Sequence, residues 1–223
     1  MVHVYRDIKR PDAGLIEAYR GQAAATVYEA SGRRGSVDPV IKPIAPGIKI
    51  LGPAVTAACK PNDNLMLHKA IEVARPGDVI VASTEGYYDA GYWGGLMAGS
   101  ASARGIAGLV IDGCIRDSEE IIGMGFPIFA RGTCIRGTSK AVLGTVNNPI
   151  IFGGVIVNPG DLVLGDDDGI VIVARSEMES VLEASRSRVE KEMFKAKELD
   201  SGVPGVVLNK LDVVLERLGM IEE

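Results

Sequence analysis

A chain of 223 residues is long enough for one well-buried domain, and no linker divides it. Hydrophobic residues at 47% and charged residues at 24% exclude a disordered chain, and a formal net charge of -5 argues against a general attraction for nucleic acid or anionic membrane surfaces. Three cysteines without a C-x-x-C and only two histidines, His3 and His68, exclude a disulfide framework, a zinc cluster and a histidine-rich metal site, and they suit a reducing cytoplasm.

The first ten residues lack the apolar core of a signal peptide. Leu15 to Ser31 reads as a helix pair or one long helix, broken at Gly32. Ile48 to Cys59 is β-rich and interrupted at Gly52-Pro53. Asn64 to Ala74 has helical spacing, with Asp63 or Asn64 placed to cap it. Pro76-Gly77-Asp78 turns the chain into the strand Val79 to Ala82, and Gly94-Gly95 opens a small-residue helix, Leu96 to Arg104. A short apolar strand, Gly108 to Ile111, ends in Asp112-Gly113. A helix from about Asp117 to Met124 stops at Gly125, and Pro127 to Ala130 is the next strand.

Strand, helix, strand, helix, strand with apolar strands is the pattern of buried parallel pairing. The longest apolar run, Pro149 to Val157, is about half the length of a membrane span. After Ile150 the pattern turns all-β, with a hairpin whose arms, Leu162 to Leu164 and Ile170 to Val173, flank Gly165-Asp166-Asp167-Asp168-Gly169. Ser176 to Leu199 is a charged amphipathic helix, and Asn209 to Leu218 a second, short one. The expected fold is a single α/β domain with a parallel βαβαβ centre and an antiparallel layer towards the carboxyl terminus.

Ligands of open α/β sheets lie beyond the carboxyl ends of the strands, where helix N-termini also point. Two such junctions occur close together. Gly94-Gly95 leaves backbone N–H groups free at the start of the helix carrying Leu96 and Met97, and Arg116-Asp117 puts a guanidinium beside a carboxylate. Arginine holds a planar carboxylate by two parallel hydrogen bonds, while aspartate suits a hard divalent cation that keeps its waters. A 2-oxo acid presents a carboxylate and a ketone, so it meets both groups. The competing reading is structural. Asp117-x-x-Glu120 has nearly the spacing of a capping box, Arg116 is then a solvated loop residue, and a Gly-Gly pair alone makes a turn. Local spacing favours capping.

Other candidates carry less. The three aspartates at 166–168 lack the ligand spacing of an EF-hand loop, and nothing marks Lys60, Lys69 or Lys140 as a desolvated Schiff-base lysine. Neither a dinucleotide fingerprint nor G-x-S-x-G is present. A methyl donor such as S-adenosylmethionine normally wants a glycine-rich loop after the first strand and an acid for its ribose; the sequence offers neither.

At Gly91-Tyr92-Trp93-Gly94-Gly95-Leu96-Met97 and Asp112-Gly113-Cys114-Ile115-Arg116-Asp117 the sequence resembles the RraA-like family. That family includes 4-hydroxy-4-methyl-2-oxoglutarate aldolases, related aldolases with oxaloacetate decarboxylase activity, and regulators of ribonuclease E. The resemblance runs nearly end to end, through Ala24 to Ala30, Pro61-Asn62-Asp63-Asn64, Pro76-Gly77-Asp78, Asp166-Asp167-Asp168-Gly169 and Ser201-Gly202-Val203. It implies an α/β/β/α sandwich of the swivelling-domain kind spanning residues 1–223, with 176–223 a helical extension for oligomer contacts. It also implies a class II pyruvate aldolase.

In that reading Asp117 ligates Mg²⁺ or Mn²⁺ mainly through waters and Arg116 holds the pyruvyl group. The amides of Leu96 and Met97, following Gly94 and Gly95, take the substrate carboxylate. A homotrimer or dimer of trimers is implied, with a neighbour's Glu192, or second Glu190, joining the metal's water shell. One position departs from the pattern: aldolases of this family carry an acid where this chain has Gly95, so Asp89, Glu85 or another acid substitutes, or aldol cleavage is weak while oxaloacetate decarboxylation survives. The alternative is a non-catalytic regulator that binds ribonuclease E or another protein.

Overall fold

A computed structural model of the chain describes residues 4–221, so His3 lies outside the described residues. The amino-terminal helical stretch is a pair, α1 (Ala13–Glu17) and α2 (Ala24–Ala30), parted at Gly21 with its left-handed φ of 86°. Asp12 caps α1 by accepting from the N–H groups of Gly14 and Leu15. Helix α2 has no capping side chain of its own. Asp166, from a hairpin more than a hundred residues away, accepts from Ala24 N–H at 2.8 Å instead.

Strand β1 (Lys42–Pro43) precedes β2 (Ile50–Ala58), and the expected break at Gly52-Pro53 is absent. Ala54 N–H donates to Asp161 on one side of β2, so by alternation the missing N–H of Pro53 faces the other side. There the next strand begins pairing only at Ala54, so no ladder bond is lost. Gly52 is needed for a different reason, since a Cβ there would collide with the Gly77 carbonyl.

The parallel centre follows as α3 (Leu65–Val73), β3 (Val79–Ser83), α4 (Gly95–Ala103), β4 (Gly108–Asp112), the short β5 (Cys114–Ile115), α5 (Ser118–Met124) and β6 (Ile128–Ala130). Helix α5 ends on Gly125, whose left-handed conformation stops it where the sequence places the stop. Then come β7 (Gly132–Thr133), β8 (Thr145–Val146), the small hairpin β9 (Ile150–Phe152) and β10 (Val155–Val157), and the long hairpin β11 (Leu162–Asp166) and β12 (Gly169–Val173). Helix α6 (Met178–Asp200) is long and charged. The short helix expected over Asn209 to Leu218 is α8 (Asp212–Arg217), and one further turn, α7 (Gly205–Leu208), precedes it where none was expected.

Among the described residues eight strands share one sheet, in the order β1-β6-β4-β3-β2-β11-β12, with β8 also on β2. The pairs β2–β3, β3–β4 and β4–β6 are parallel. Those of β1 with β6, and of β2 with β8 and β11, are antiparallel, as is β11 with β12. The antiparallel layer is therefore the same sheet, curled over itself.

Alternation sorts the side chains into three apolar layers. Val55, Ala57, Ile80, Ala82, Leu109 and Ile111 face α3, α4 and α5. Ala54, Val79, Val81 and Val110 on the reverse meet Val163, Ile170, Ile172 and Phe152 across the fold. Leu162, Leu164, Val171 and Val173 lie under α1, α2 and the start of α6. Each fully buried aliphatic side chain contributes about 1.5–3 kcal/mol, and the result is an α/β/β/α stack. No helix among the described residues is long and apolar enough to cross a membrane.

Buried aspartates fasten the turns. Asp78, in the first Pro-Gly-Asp turn, accepts both Nε and a terminal nitrogen of Arg10, at 2.8 and 2.7 Å, and the Arg75 N–H. Asp161, in the second, accepts from the N–H groups of Asn158 and Arg175. Asp63 accepts from Leu65 N–H at the start of α3 and from Ser139 Oγ, Ala141 N–H and Val142 N–H, which ties residues 139–142 to that helix. Asn64 occupies the N-cap position of α3, but its amide donates to Tyr92 O.

Burial alone would raise the Asp63 pKa, yet the hydrogen bonds from Ala141, Leu65, Ser139 and Val142 outweigh it and hold the carboxyl below its usual value. With the folded pKa below the unfolded one, this stabilisation is fully present above about pH 4 and is lost as pH falls through the folded value. Asp63→Asn should therefore cost about 1.5–3 kcal/mol at pH 7 in urea titrations. The difference from wild type should shrink below about pH 4; a difference that persists there would refute the assignment.

Candidate active site

The sequence 91–93 is drawn against 114–116 by two backbone bonds, Tyr92 N–H to Cys114 O at 2.9 Å and Arg116 N–H to Trp93 O at 2.8 Å. Beneath this seam Trp93 is fully buried and stacks on Phe126, with ring centroids 6.1 Å apart. The seam sets the two loop–helix junctions side by side. A Cβ at Gly91 would strike the Cys134 carbonyl, and one at Gly94 would press on Asp117 Oδ2 and the Arg116 side chain. Close backbone approach is the reason for both glycines.

Asp117 takes the N-cap position of α5 with a left-handed backbone, φ 58° and ψ 36°, and its side chain makes no capping bond. Asp117 Oδ2 instead accepts from Gly95 N–H at 3.0 Å, across the cleft at the start of α4, and stands 3.6 Å from Arg116 Nε. The capping box that local spacing suggests is thus not formed. Residue types that tolerate the left-handed region are few, aspartate among them, and such strain gathers at functional sites.

These groups line a cavity of about 300 Å³. Its lining draws Asn64 and His68 from the α3 segment, Gly94, Leu96 and Met97 from the start of α4, Arg116, Asp117 and Glu120 from the start of α5, and Gly137, Thr138 and Lys140 from the loop before β8. Of the residues singled out in the sequence, Gly94, Leu96, Met97, Arg116 and Asp117 meet here. Gly95 stands just behind the wall with its N–H taken by Asp117, and Met97 N–H points to Gly94 O at 3.1 Å. Glu192 and Glu190 do not line this cavity. Glu192 pairs with Arg188 at 2.8 Å, and Arg188 also reaches Glu29 at 3.8 Å; Glu190 borders a separate groove with Phe194 and Leu208.

The acid that sequence reasoning missed is Glu120. A Cβ at Gly95 would run into both oxygens of its carboxylate, so Glu120 fills the space that a side chain at position 95 would take. Neither acid expected to substitute lines the cavity: Glu85 pairs with Lys60 at 2.5 Å, and Asp89 faces Arg136 at 4.0 Å. The signal was present in the spacing Asp117-x-x-Glu120, which puts both carboxylates within one helical turn.

Asp117 and Glu120 bring two carboxylates to the cavity, oxygen donors that fit a hard divalent cation retaining several waters. No group of three or more His, Cys, Asp or Glu side chains able to hold a metal gathers among the described residues, so a single chain forms no closed metal cage there. Burial, and after it the charge of Lys140, lowers the His68 pKa below its usual value, so the ring is neutral at neutral pH.

The model of the RraA-like family, described as Aldolase/RraA, matches residues 16–172. The chain belongs to the RraA-like family. It is 35% identical over 181 residues to a protein of Halalkalibacterium halodurans named "Putative 4-hydroxy-4-methyl-2-oxoglutarate aldolase", covering 81% of this chain and 86% of that one. Among solved structures it resembles Streptomyces coelicolor RraAS2, described as an unusual member of the RNase ES inhibitor RraA protein family. The TM-score is 0.78 at 30% identity, covering 85% of this chain and 99% of that one. It also resembles a Geobacillus kaustophilus structure described as an S-adenosylmethionine:2-dimethylmenaquinone methyltransferase, with TM-score 0.62 at 32% identity over 67% of this chain and 93% of that one.

Trp93→Ala removes the support under the seam and should cost about 3–5 kcal/mol in denaturant titrations. A loss below 1 kcal/mol would show that the seam does not depend on it.

Proposed function

We propose that this chain is a divalent-metal-dependent lyase of small 2-oxo acids, cleaving or decarboxylating them by way of a pyruvate enolate. The observation that carries this reading is the meeting of Arg116, Asp117 and Glu120 at one cavity with the start of α4. The name of the Halalkalibacterium relative supports a lyase. Asp117 and Glu120 would hold Mg²⁺ or Mn²⁺, and the bound ion supplies Lewis-acid polarisation of the ketone oxygen.

Arg116 would grip the pyruvyl end with its fork, and the α4 N-terminus would offer the Leu96 N–H and the positive end of its dipole to the carboxylate, since Gly95 N–H is held by Asp117 and Met97 N–H by Gly94 O. In decarboxylation the bond to the departing carboxylate breaks, CO₂ leaves, and the electron pair stays on the enolate until a proton arrives from water. Aldol cleavage asks for one thing more, removal of the proton from the C4 hydroxyl. Glu120 is the carboxylate placed to accept it, directly or through water, in the place of the acid absent at Gly95.

We further propose that the site is completed in a homotrimer or dimer of trimers. Glu192 of a neighbouring copy would join the metal's water shell, and residues 176–223 would supply oligomer contacts. The likeness to RraAS2 favours a second reading, a partner-binding shell without chemistry. That protein would make no pyruvate from oxaloacetate. This chain has no glycine-rich loop after its first strand, so titration with S-adenosylmethionine should give no heat.

Mg²⁺ should accelerate pyruvate formation from oxaloacetate and EDTA should abolish it. Asp117→Asn keeps the left-handed backbone and an acceptor for Gly95 N–H, so it should fold within about 1 kcal/mol of wild type. It should nonetheless lose metal-dependent turnover by about 10²-fold or more. Activity indifferent to EDTA, or intact in that variant, would end the proposal. Arg116→Lys should raise KM and lower kcat together, because the bidentate fork is lost. Glu120→Gln should depress cleavage of 4-hydroxy-4-methyl-2-oxoglutarate by about 10²-fold or more while oxaloacetate decarboxylation falls less; equal losses would deny Glu120 the proton.

A further inference from the structure

The seam that positions Arg116 also carries two half-buried free thiols, Cys114 and Cys134, while Cys59 is buried in the core. In the parallel β5–β7 ladder Cys114 pairs with Gly132 and Ile115 with Thr133, and Cys134 N–H extends the ladder by donating to Ile115 O at 2.8 Å. Side chains alternate along such a ladder, so Cys114 and Cys134, two positions on from Gly132, project from the same face. Gly132 leaves that face open, since a Cβ there would meet nothing within 4 Å. The seam holds both backbones. Cys114 O accepts Tyr92 N–H at 2.9 Å, and Cys134 O lies so close to Gly91 that a Cβ on Gly91 would collide with it. Burial raises the Cys114 pKa, and the nearby Cys134 and Asp89 raise it further, with Arg131 opposing them. The two thiols thus stand within electrostatic reach of each other.

We propose that Cys114 and Cys134 form a two-thiolate site for a soft monovalent cation, Cu⁺, held in line between their sulfurs. The site is independent of the lyase reading. A cysteine sulfur stands one bond beyond Cβ, so the backbone register settles how far each thiol reaches. Strand spacing and rise put the Cα atoms of this diagonal pair roughly 8 Å apart. A disulfide takes about 4.4–6.8 Å, so the pair cannot close one without moving the ladder. Metal–sulfur bonds of about 2.3 Å, laid in line, hold two sulfurs about twice as far apart as a disulfide does. Thiolate sulfur selects Cu⁺ and leaves Mg²⁺ and Mn²⁺ to carboxylates. No third His, Cys, Asp or Glu gathers into a metal set among the described residues, and linear coordination asks for none. Binding breaks two S–H bonds and forms two S–Cu bonds; both protons pass to water, and no electron is transferred.

The test titrates the full chain with Cu⁺ without oxygen, against a competing copper chelator, and reads the copper retained per chain. Wild type should hold a single Cu⁺ per chain, and X-ray absorption should show two sulfur neighbours in line. Cys114→Ser and Cys134→Ser keep the size of the side chain, and thermal melting checks that each folds. Each should weaken Cu⁺ by about 10²-fold or more, because losing one of two ligands costs at least as much as losing an outer-shell partner. Cys59→Ala should retain copper as wild type does. Copper kept at wild-type affinity in either serine variant would overturn the inference, as would a third sulfur at the metal or copper shared between two chains. So would ready closure of a Cys114–Cys134 disulfide by diamide, which would show the sulfurs closer than the register allows.

Discussion

The site depends on one hydrogen bond made from an unusual backbone. Asp117 holds a left-handed conformation at the threshold of α5, which turns its carboxylate away from its own helix and toward Gly95 N–H at the head of α4. That bond joins the two helix N-termini at a shared cleft. Asp117 lines that cavity together with Arg116 and Glu120. A side chain at Gly94 would crowd Asp117 and one at Gly95 would displace Glu120, so the glycine pair is less a turn signal than a clearance.

Around this contact the fold is arranged to resist relaxation. Trp93 and Phe126 fill the space under the seam, and Thr84 Oγ1 donates to Asp112 O at 2.7 Å where β4 ends. Arg131 is shared by Asp112 and Asp38 and lies 4.5 Å from the Tyr88 ring centre, which ties the end of β4 to the loop after α2. On the far side Asp63 fixes residues 139–142. The cavity is walled by helix starts and by loops, and Asp117 and Asp63 pin two of those loops through backbone N–H groups and the Ser139 hydroxyl, so their positions are set before any ligand arrives.

Much of this was readable from residue order. The apolar runs of β3 and β4, the Gly125 stop and the hairpin around three aspartates follow directly from periodicity and turn chemistry. The meeting of Arg116 and Asp117 with the α4 start was readable too, because both sit at strand ends that parallel pairing must bring together. What escaped was whatever depends on a distant partner. Pro53 looks like a break until the offset start of β3 is known, and Asp166 looks like a turn residue until it is seen capping α2. Glu120 looks like the third residue of a capping box because local spacing cannot reveal that Asp117 has turned its back on the cap. The role of Asp63 depends on a segment some seventy-five residues downstream, beyond the reach of any pattern.

The route of β2 bears on how the chain is made. Its first four residues pair with β11, and the segment between them contains the whole parallel centre. Until residues 162–165 leave the ribosome, Ile50 to Pro53 present an unpaired apolar edge open to any passing strand. Closure must wait for a contact spanning over a hundred residues, which makes it a late event of high contact order. Synthesis therefore passes through a stage in which the parallel centre has emerged while this edge is still unpaired and open to association.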